Sequence, residues 1–377
     1  MKLLVIVSTL DLSKPFGATP WLWQLFKAFY EQGHQLLIIP YHGKKIETMW
    51  WQVYNNPNYL KGLILEYLLR IPKSKNTKNS SFFTTIAKLI ALPKLIGLVT
   101  NILSAHRNID ATLLIGLPLN QIDGLAKAIK KIINMPVVVY DLDVPTSLPS
   151  HGGFTFNYYP GSNLQEYDLF IIPSEESVQE LKQLGANCVE VVHFGVDPSL
   201  YLPISVQKDI DVFFFGNGGS ARRNNLQMMI ATPSRSLPLN FVVSGRKLDV
   251  DLGKASIIPP LTFSEWRLFS SRSKINLNVV RELHARIKST STSRPFELSA
   301  MGCCVISAPY DGLERWFEIG KEMLIANSST ECIDLYKNLV DDEETRNRMG
   351  LRARERIKRD HTSQHRAIQI IESIKKV

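Results

Sequence analysis

Short, apolar, β-branched runs alternate with helical patterns along the whole chain, and this alternation constrains the fold more than any other feature. A strand that is apolar throughout is typical of a parallel sheet covered on both faces. In the first half of the chain the predicted strands are Leu3–Val7, Gln35–Pro40, Ala111–Gly116, Pro136–Asp141, Asp168–Ile172 and Val189–His193. The pattern therefore predicts the α/β class, with helices packed on both faces of a parallel sheet.

The alternation restarts after a stretch of low periodicity, and this restart predicts a second domain. The stretch Gly195–Lys208 contains Asp-Pro and Leu-Pro and is interpreted as the linker. The strands predicted after it are Asp211–Phe215, Asn240–Ser244, Lys274–Val279, Cys304–Ser307 and Met323–Ala326. Two βα series, each with its own first strand, predict two doubly wound, Rossmann-like domains, 1–200 and 209–360, followed by a helical segment 361–377.

Helices are predicted between the strands, among them Trp21–Gln32 and Leu119–Asn134. Ser174 is expected to cap a further helix, because two glutamates follow it in the first turn and Gly185 stands just past the end.

Residues 45–107 interrupt the first series, since they have helical patterns and no convincing strand. Pro72–Ser81 is polar, whereas Phe82–Leu103 is very apolar but contains two lysines and Pro93, which disfavours a transmembrane span. Two interpretations of this helical insertion stay open. It is either a helical hairpin packed on the first sheet or an interfacial segment that docks on a membrane.

The net charge of +9 and the pI near 9.2 fit an anionic ligand, an anionic membrane, nucleic acid or simply a solvated basic surface. Basic charge concentrated in residues 45–107 would favour a membrane-proximal acceptor, and charge along a groove would favour nucleic acid. No zinc finger, RNP-like strand or basic patch interleaved with aromatic residues is present, so nucleic acid is not the expected partner.

The amino-terminal run fits a first strand better than a signal peptide. The four cysteines lack zinc-ligand spacing and fit buried residues of a reducing compartment. These features predict a cytoplasmic protein, with peripheral membrane contact as an option.

The segment from Ser289 to Ile325 carries the most chemical information. Arg294-Pro295-Phe296-Glu297 is predicted to begin a helix, with the proline near its first position and the glutamate in its first turn. The amino end of such a helix, at the carboxyl end of a parallel strand, is a favourable place for a diphosphate. A carboxylate there could accept hydrogen bonds from ribose hydroxyls.

This Arg-x-Phe-Glu segment, followed by small residues, resembles the donor-binding half of group 1 glycosyltransferases, most closely the spore-maturation-type branch. Other segments resemble that family and occur in its order. They are Phe16–Ile39, Ile171–Ala186, Val191–Pro203, Asp211–Leu226, Ile275–Arg281 and the His-Thr-x-x-x-Arg of His361–Arg366. The resemblance implies a GT-B fold, with two domains facing across a cleft and the final helix returning to the amino-terminal domain. It also implies transfer of a sugar from a nucleotide-sugar to a glycan, lipid-linked or small-molecule acceptor.

The resemblance also implies roles for individual residues. Glu297 would hold the ribose, backbone N–H groups near Leu298 and Ser299 would meet the diphosphate, and Arg294 would reach the phosphates or the sugar. The remaining implied donor residues are Gly216 and Asn217 on the phosphate side, Arg222 or Arg223 as counter-charge, backbone at Leu261 against the base, and Phe296 within the motif. Asn278 either points into the same cleft or merely alternates within its strand.

No metal and no cofactor are expected, because GT-B enzymes usually stabilise the leaving diphosphate with a helix dipole and basic side chains. The one Asp-x-Asp, Asp141-Leu142-Asp143, closes a strand of the first domain, on the acceptor side. Asp143 is a candidate acceptor ligand or general base, or else a loop-capping carboxylate. His151 is a similar candidate or an exposed loop histidine, and Gly17 is expected in the glycine loop of the first domain.

One departure from the family pattern leaves the stereochemistry open. Many retaining members carry two glutamates eight positions apart, and here Ser289 stands where the first would be. The departure keeps a catalytically inactive nucleotide-sugar-binding or scaffold protein as an alternative. A nucleotide-sugar epimerase is a second alternative, although no pair of bases points to it.

Overall fold

The computed structural model describes residues 1–11, 19–59, 81–151, 159–248 and 250–377. The chain divides into two compact units. The first contains the described residues up to Val192 together with Ala367–Val377, and the second contains His193–Arg366. The chain thus passes from the first unit to the second at Val192, three residues before the stretch interpreted as the linker.

The first unit contains a seven-stranded parallel sheet in the order β3-β2-β1-β4-β5-β6-β7. Its strands are β1 (Lys2–Thr9), β2 (Gln35–His42), β3 (Gln52–Val53), β4 (Ala111–Ile115), β5 (Val137–Tyr140), β6 (Leu169–Ile172) and β7 (Val189–Val191). The short edge strand β3 lies within 45–107, where the sequence predicted helix only. That prediction was wrong because two residues are too few to show a strand period.

The helices of the first unit are α1 (Thr19–Glu31), α2 (81–105), α3 (Leu125–Lys130) and α4 (Val178–Gln183). The helix predicted over Leu119–Asn134 is a 3₁₀ turn and the shorter α3, separated by Gly124 in the left-handed conformation (φ 88°). Ser174 does not cap α4, which begins four residues later; its Oγ lies 2.8 Å from Oγ of Ser177.

Two helices contain a π-helical segment shortly before a proline. In α2 the segment Ala87–Ala91 precedes Pro93, and in α5 (223–236) the segment Gln227–Ala231 precedes Pro233. A proline removes one N–H from the helical ladder and crowds the carbonyl four residues earlier. Widening the preceding turn relieves that conflict without ending the helix.

The second unit contains a six-stranded parallel sheet in the order β10-β9-β8-β11-β12-β13. Its strands are β8 (Ile210–Phe215), β9 (Phe241–Ser244), β10 (Ser256–Ile258), β11 (Ser273–Asn278), β12 (Val305–Ser307) and β13 (Leu324–Ile325). The sequence analysis missed β10, a largely exposed edge strand whose three residues are too few to show a strand period. Apart from these two edge strands, the predicted α/β class with two parallel sheets is confirmed.

The helices of the second unit are α5, α6 (Phe263–Arg272), α7 (Glu282–Arg286), α8 (Ser293–Ala300), α9 (Ser329–Asp341) and α10 (Glu343–Asp360). The final helix α11 (Ser363–Ile374) begins in the second unit, and from Ala367 onward it belongs to the first.

Each unit has its own apolar core built on its sheet. Residues Leu3–Val7 of β1 and the whole of β4 are fully buried, as expected for strands covered on both faces. Cys303 and Cys304 lie in the second core, and burial raises the pKa of both thiols to about 12, so they behave as small apolar side chains.

The His361–Arg366 segment holds the backbone at the start of the second unit. Nε of Arg366 donates to the carbonyl of Phe194 (3.1 Å), and its Nη2 lies 2.6 Å from Nδ1 of His361. A Cβ on Gly195 would lie 2.8 Å from Cγ of Arg366 and from the carbonyl oxygen of Thr362. The residues of this motif therefore hold two chain segments in close contact.

In both sheets the strand order reverses beside the first strand, between β1 and β4 and between β8 and β11. The carboxyl ends of the strands at such a reversal form the crevice in which open α/β sheets bind ligands.

Candidate functional site

The candidate site lies at the carboxyl ends of β8 and β11. Arg222 joins these two ends: its Nε donates to the carbonyl of Val279 (2.8 Å) and its Nη1 donates to that of Asn217 (3.0 Å). Val279 directly follows β11, and Asn217 lies in the loop after β8. Arg222 therefore spans the ligand crevice of the second sheet.

Positive charge accumulates around Arg222. Burial, followed by the charges of Arg281 and Arg294, lowers the pKa of the Arg222 guanidinium to about 9. Burial, followed by the charges of Arg281 and Arg222, lowers the pKa of His284 to about 3. Within the described ranges no carboxylate pairs with Arg222 or Arg281. A bound anion would relieve this repulsion.

His284 adds a buried polar atom to the same cluster. Its side chain lies on α7 and is 7% exposed, and Nδ1 has no hydrogen-bond partner in the described part of the chain. The low pKa keeps the imidazole neutral at neutral pH. A buried ring nitrogen without a protein partner is available to a polar atom of a ligand.

Arg294 lies between aromatic rings and a carboxylate. Its guanidinium carbon is 4.2 Å from the ring centroid of Trp266 and 5.0 Å from that of Phe215. These two rings stack on each other at 5.3 Å and 21°. Such contacts hold a guanidinium in place without removing its charge.

Glu297 is fixed by two side chains and is 8% exposed. Nη1 of Arg294 lies 3.2 Å from its Oε2, and the Tyr201 hydroxyl donates to its Oε1 (3.2 Å). The helix α8 begins at Ser293, so Glu297 lies in the second turn and Pro295 at the third position. The predicted first-turn placement was wrong, and the helix dipole alone does not explain the glutamate.

The same helix start changes which backbone groups are free. An α-helix leaves only its first four N–H positions, counted from the N-cap, without an intrahelical acceptor; here these are Thr292 to Pro295, of which the proline has no N–H. The N–H groups of Leu298 and Ser299 fall in the second turn, where a helix bonds them to carbonyls four residues earlier. A diphosphate at this helix would therefore meet the residues around Ser293 and Arg294.

The side chains that follow in α8 are structural. Phe296 is fully buried, 5.5 Å from the ring of Phe317 and 5.3 Å from that of His361. Leu298 lies in the core of the second unit, and Ser299 is fully buried.

The glycine loop after β8 is shaped by a neighbouring loop. The N–H of Gly216 donates to Ser244, and that of Gly218 donates to Arg246. A Cβ on Gly245 would lie 1.8 Å from the carbonyl oxygen of Gly216, so the glycines permit close backbone contact. These two N–H groups are therefore already bonded, and a ligand would have to meet other groups of the loop.

Three further predicted donor residues lie around this crevice or its rim. Arg223 is exposed at the start of α5, as a solvated charge would be. Leu261 is buried between β10 and α6. Asn278 is buried at the end of β11 and its amide donates to Oγ of Ser307 on β12 (2.9 Å), which favours the reading in which it belongs to the sheet.

Position 289 presents no carboxylate. Ser289 is fully buried in a left-handed conformation (φ 55°), and its Oγ has no hydrogen-bond partner in the described residues. A Cβ on Gly312 would lie 2.6 Å from the backbone nitrogen of Ser289. The tight packing against Gly312 fits a small side chain there.

In the first unit, the acidic loop after β5 is organised by Asp141. Its carboxylate accepts hydrogen bonds from the hydroxyls of Ser147 (2.6 Å) and Tyr159 (2.5 Å) and from the N–H of Asp143 (2.9 Å). Burial raises the pKa of Asp141. The loop-capping role suggested for Asp143 is thus performed by Asp141.

The two predicted acceptor-side residues follow that capping carboxylate. Asp143 is half-buried, and His151 ends a 3₁₀ turn, with its N–H donating to Leu148 (3.2 Å). Gly17 lies outside the described residues. Across the described ranges, no three His, Cys, Asp or Glu side chains are grouped as metal ligands would be.

Sequence reasoning missed four residues of the site: Tyr201, Trp266, Arg281 and His284. Tyr201 and Arg281 lie in segments that resemble the family, but the sequence analysis gave neither of them a role. Tyr201 and Trp266 lie 65 positions apart and meet only in the fold, with ring centroids 5.8 Å apart. No spacing rule connects residues from different βα units.

A comparison of sequences finds one family match, which covers part of the second unit and the final helix. Residues 222–372 match a family described as glycosyl transferase-like, and the match includes Arg222, Arg281, His284, Arg294 and Glu297. No curated protein matches the chain in sequence.

Solved structures match over the whole chain. Sucrose-phosphate synthase from Thermosynechococcus elongatus has a TM-score of 0.68 at 11% identity, covering 100% of this chain and 98% of that one. HepE from Anabaena in complex with UDP-glucose has a TM-score of 0.62 at 15% identity, covering 100% of both. A trehalose-6-phosphate protein from E. coli bound with UDP-2-fluoro glucose has a TM-score of 0.63 at 11% identity, covering 100% and 99%.

At these identities the structural likeness establishes the fold, which is GT-B. The family match independently makes the segment 222–372 glycosyltransferase-like. The GT-B fold of the chain and the glycosyl transferase-like match over residues 222–372 together support a glycosyltransferase.

Proposed function

We propose that the chain transfers a hexosyl or related sugar from a nucleoside-diphosphate sugar, bound in the second unit, to an acceptor bound by the first. The observation that carries this proposal is the cluster of Arg222, Arg281 and Arg294. His284, whose Nδ1 has no hydrogen-bond partner among the described residues, lies near Arg222 and Arg281. Two negative phosphates would satisfy that cluster, whereas a neutral ligand would leave its repulsion unrelieved. UDP-sugars are the first donors to test, because HepE and the E. coli protein are described with UDP-glucose and a fluorinated analogue.

Each residue would then have a defined task. Glu297 would accept hydrogen bonds from the ribose hydroxyls, which would compete with its present contacts to Tyr201 and Arg294. Arg281 and Arg294 would face the phosphates, and Arg222 would fix the loop after β8 against β11 while adding charge from behind.

The reaction breaks the bond between the anomeric carbon and a diphosphate oxygen and forms a bond from that carbon to an acceptor oxygen. The diphosphate leaves with the bonding electron pair, and the acceptor proton passes to a base. Arginines that face the diphosphate stabilise the charge that develops on it. We propose these cations in place of a metal or cofactor, and Asp143 or His151 as the candidate base.

The proposal includes a cytoplasmic protein that contacts a membrane peripherally. Residues 45–107 contain nine basic and two acidic residues, so this sixth of the chain carries +7 of the net charge of +9. Charge concentrated there favours a membrane-proximal acceptor over a nucleic acid bound along a groove.

Donor binding is tested by calorimetric titration with UDP, GDP and TDP and with their glucose forms. Glu297→Ala is expected to weaken the preferred nucleotide about tenfold to a hundredfold, as loss of hydrogen bonds to a charged group does. Glu355→Ala, which removes an exposed glutamate of α10 in the same unit, is the matched control. Unchanged affinity in Glu297→Ala, with the fold intact, would overturn the donor assignment.

Ser289 favours one alternative, a protein that binds the nucleotide-sugar without turning it over. The carboxylate carried there by many retaining enzymes is absent, and the buried, left-handed position fits a small residue. Release of free UDP from UDP-glucose, followed over time with and without acceptor extracts, separates the two functions. Tight binding without any release of UDP would support the alternative.

A further inference from the structure

A basic cavity of about 650 Å³ lies in the first unit, away from the predicted acceptor residues in sequence. We name it the lysine cavity; its lining is Gly43, Lys44, Lys45, Asn55, Asn56, Pro57, Tyr59 and Lys94. Residues 43–45 follow β2, residues 55–59 follow β3, and Lys94 lies on α2.

Two of the three lysines are not neutralised. Lys45 pairs with Glu47 at 2.7 Å. Lys44 lies 5.9 Å from the ring centroid of Tyr59, and neither Lys44 nor Lys94 forms an ion pair with a carboxylate in the described part of the chain. The cavity therefore presents positive charge from two separate elements.

The walls of the cavity are held together by hydrogen bonds. The Asn58 amide donates to the carbonyl of Ala91 on α2 (3.0 Å), and the buried Asn56 amide donates to the carbonyl of Tyr41 on β2 (3.0 Å). These bonds join the loop after β3 to both the helix and the sheet. The cavity is thus preformed, which lowers the entropic cost of binding.

Beside the cavity, α2 exposes apolar side chains. Leu89 is 72% exposed and Ile90 is 44% exposed, whereas Leu95 and Val99 are buried in the core. Ile90 and Lys94 are four residues apart and so share one side of the helix. By length and composition Thr84–Ala105 could cross a membrane, but its inner face is buried in the core of the first unit, so a position in the interface fits better.

We propose that the lysine cavity binds the phosphate of an anionic lipid headgroup while Leu89 and Ile90 enter the membrane interface. Lysine side chains can contact lipid phosphates at the membrane surface. The adjacent apolar side chains then need to enter only the outer part of the membrane. The inference deepens the proposed membrane contact and rests on it, and it names the partner as a phosphate-bearing lipid.

The test is co-sedimentation of the full chain with vesicles of phosphatidylcholine alone or mixed with phosphatidylglycerol, at low and high salt. Binding is expected only to the mixed vesicles and is expected to weaken with salt. The double variant Lys44→Gln, Lys94→Gln should bind roughly 25-fold more weakly, about fivefold for each lysine near an anionic surface. Lys127→Gln, an exposed lysine of α3, is the matched control.

The apolar contribution is measured separately. Leu89→Gln should lose at least about tenfold in vesicle affinity, the usual effect of burying a leucine side chain. Leu184→Gln, at an exposed leucine after α4, should have no effect. Both leucines are exposed, so neither change should disturb folding.

The outcomes are distinguishable from those of donor binding, which is titrated on the same preparations. Equal binding to neutral and anionic vesicles, unchanged in the lysine variant, would leave membrane contact standing and overturn the headgroup site. No vesicle binding with normal nucleotide affinity would overturn the cavity and the membrane contact together. Retention of duplex DNA, lost in the lysine variant, would overturn the inference in favour of nucleic acid.

Discussion

Charged side chains lie at the carboxyl ends of parallel strands in both units, but their hydrogen bonding differs. After β5, the buried carboxylate of Asp141 accepts hydrogen bonds from two hydroxyls and one N–H of its own loop. After β11, Arg281 has no carboxylate partner and Nδ1 of His284 has no hydrogen-bond partner in the part of the chain that the structure describes. The carboxylate after β5 therefore has its hydrogen-bond partners within its own loop, whereas the charged and polar groups after β11 do not.

The difference distinguishes charged groups that organise a loop from charged groups that are available to a ligand. A buried carboxylate whose hydrogen bonds are satisfied by its own loop holds that loop in one conformation. Like charges held together without a counter-charge oppose folding, so a ligand that neutralises them gains affinity. The comparison assigns Asp141 to loop architecture and supports the proposal that the arginine cluster binds the donor.

Among the tests of this assignment, Asp141→Ala is expected to have the largest effect on stability. It leaves the buried hydroxyls of Ser147 and Tyr159 without their acceptor, and we expect a loss of about 3 kcal/mol in the free energy of unfolding. Urea denaturation measures the loss. Asp141→Asn keeps an acceptor oxygen and should cost less, and nucleotide affinity should be unchanged in both folded variants.

Arg281→Gln tests the arginine cluster after β11. Loss of a charge-assisted contact to a phosphate is expected to weaken UDP binding by about 2 kcal/mol, or roughly thirtyfold, while stability stays equal or rises because repulsion falls. Titration calorimetry and thermal unfolding without ligand measure the two effects. A destabilised variant with normal UDP affinity would reverse the assignment of this arginine.

The low pKa of His284 predicts a pH dependence of stability. The folded imidazole stays neutral down to a pKa of about 3, whereas the unfolded one takes up a proton near its ordinary value. The unfolded state therefore binds more protons below about pH 6.5, and stability falls as the pH falls from there toward 3.

Between about pH 6.5 and 5.5 this one group should remove about 1 kcal/mol from the free energy of unfolding. His284→Asn should remove that part of the dependence, measured by urea denaturation at each pH. His361, whose pKa burial also lowers to about 3, keeps its own dependence in the variant. An identical pH profile in His284→Asn and the parent chain would argue against a buried, neutral His284.

Tyr201→Phe should have the smallest effect. It removes the hydroxyl that donates to Glu297 but keeps the ring between Phe263 and Trp266. We expect UDP affinity to change by no more than about 1 kcal/mol, with stability nearly unchanged. A loss as large as that of Glu297→Ala would mean that the tyrosine itself contacts the ligand.

The regular part of the fold could be predicted from the sequence because parallel strands buried on both faces are apolar throughout. The strands from β4 to β9 were each predicted within two residues of their observed ends. The edge strands β3 and β10 were missed, since two or three residues pairing at an edge leave no periodic signal. Leu119–Asn134 was predicted as one helix because its apolar spacing continues through Gly124, whose left-handed backbone breaks it.

The candidate site was predictable where its residues are contiguous and unpredictable where they are not. Arg294 and Glu297 stand in one motif and were both placed in the donor site from the sequence. Their partners Tyr201 and Trp266 come from different βα units, and so no local pattern associates them. The exact start of α8 also escaped prediction, which misplaced the free N–H groups at Leu298 and Ser299.

The sequence by itself determined the α/β class and the two βα series, because these depend on local periodicity and contiguous residue types. Only the tertiary structure decided which charges are neutralised and which are left for a ligand. Asp141 and Arg281 are both charged residues that follow apolar strands, and no sequence pattern shows which of them has partners in the folded chain. Whether a buried charge has partners depends on groups that folding brings from distant positions, and this is a property of the fold alone.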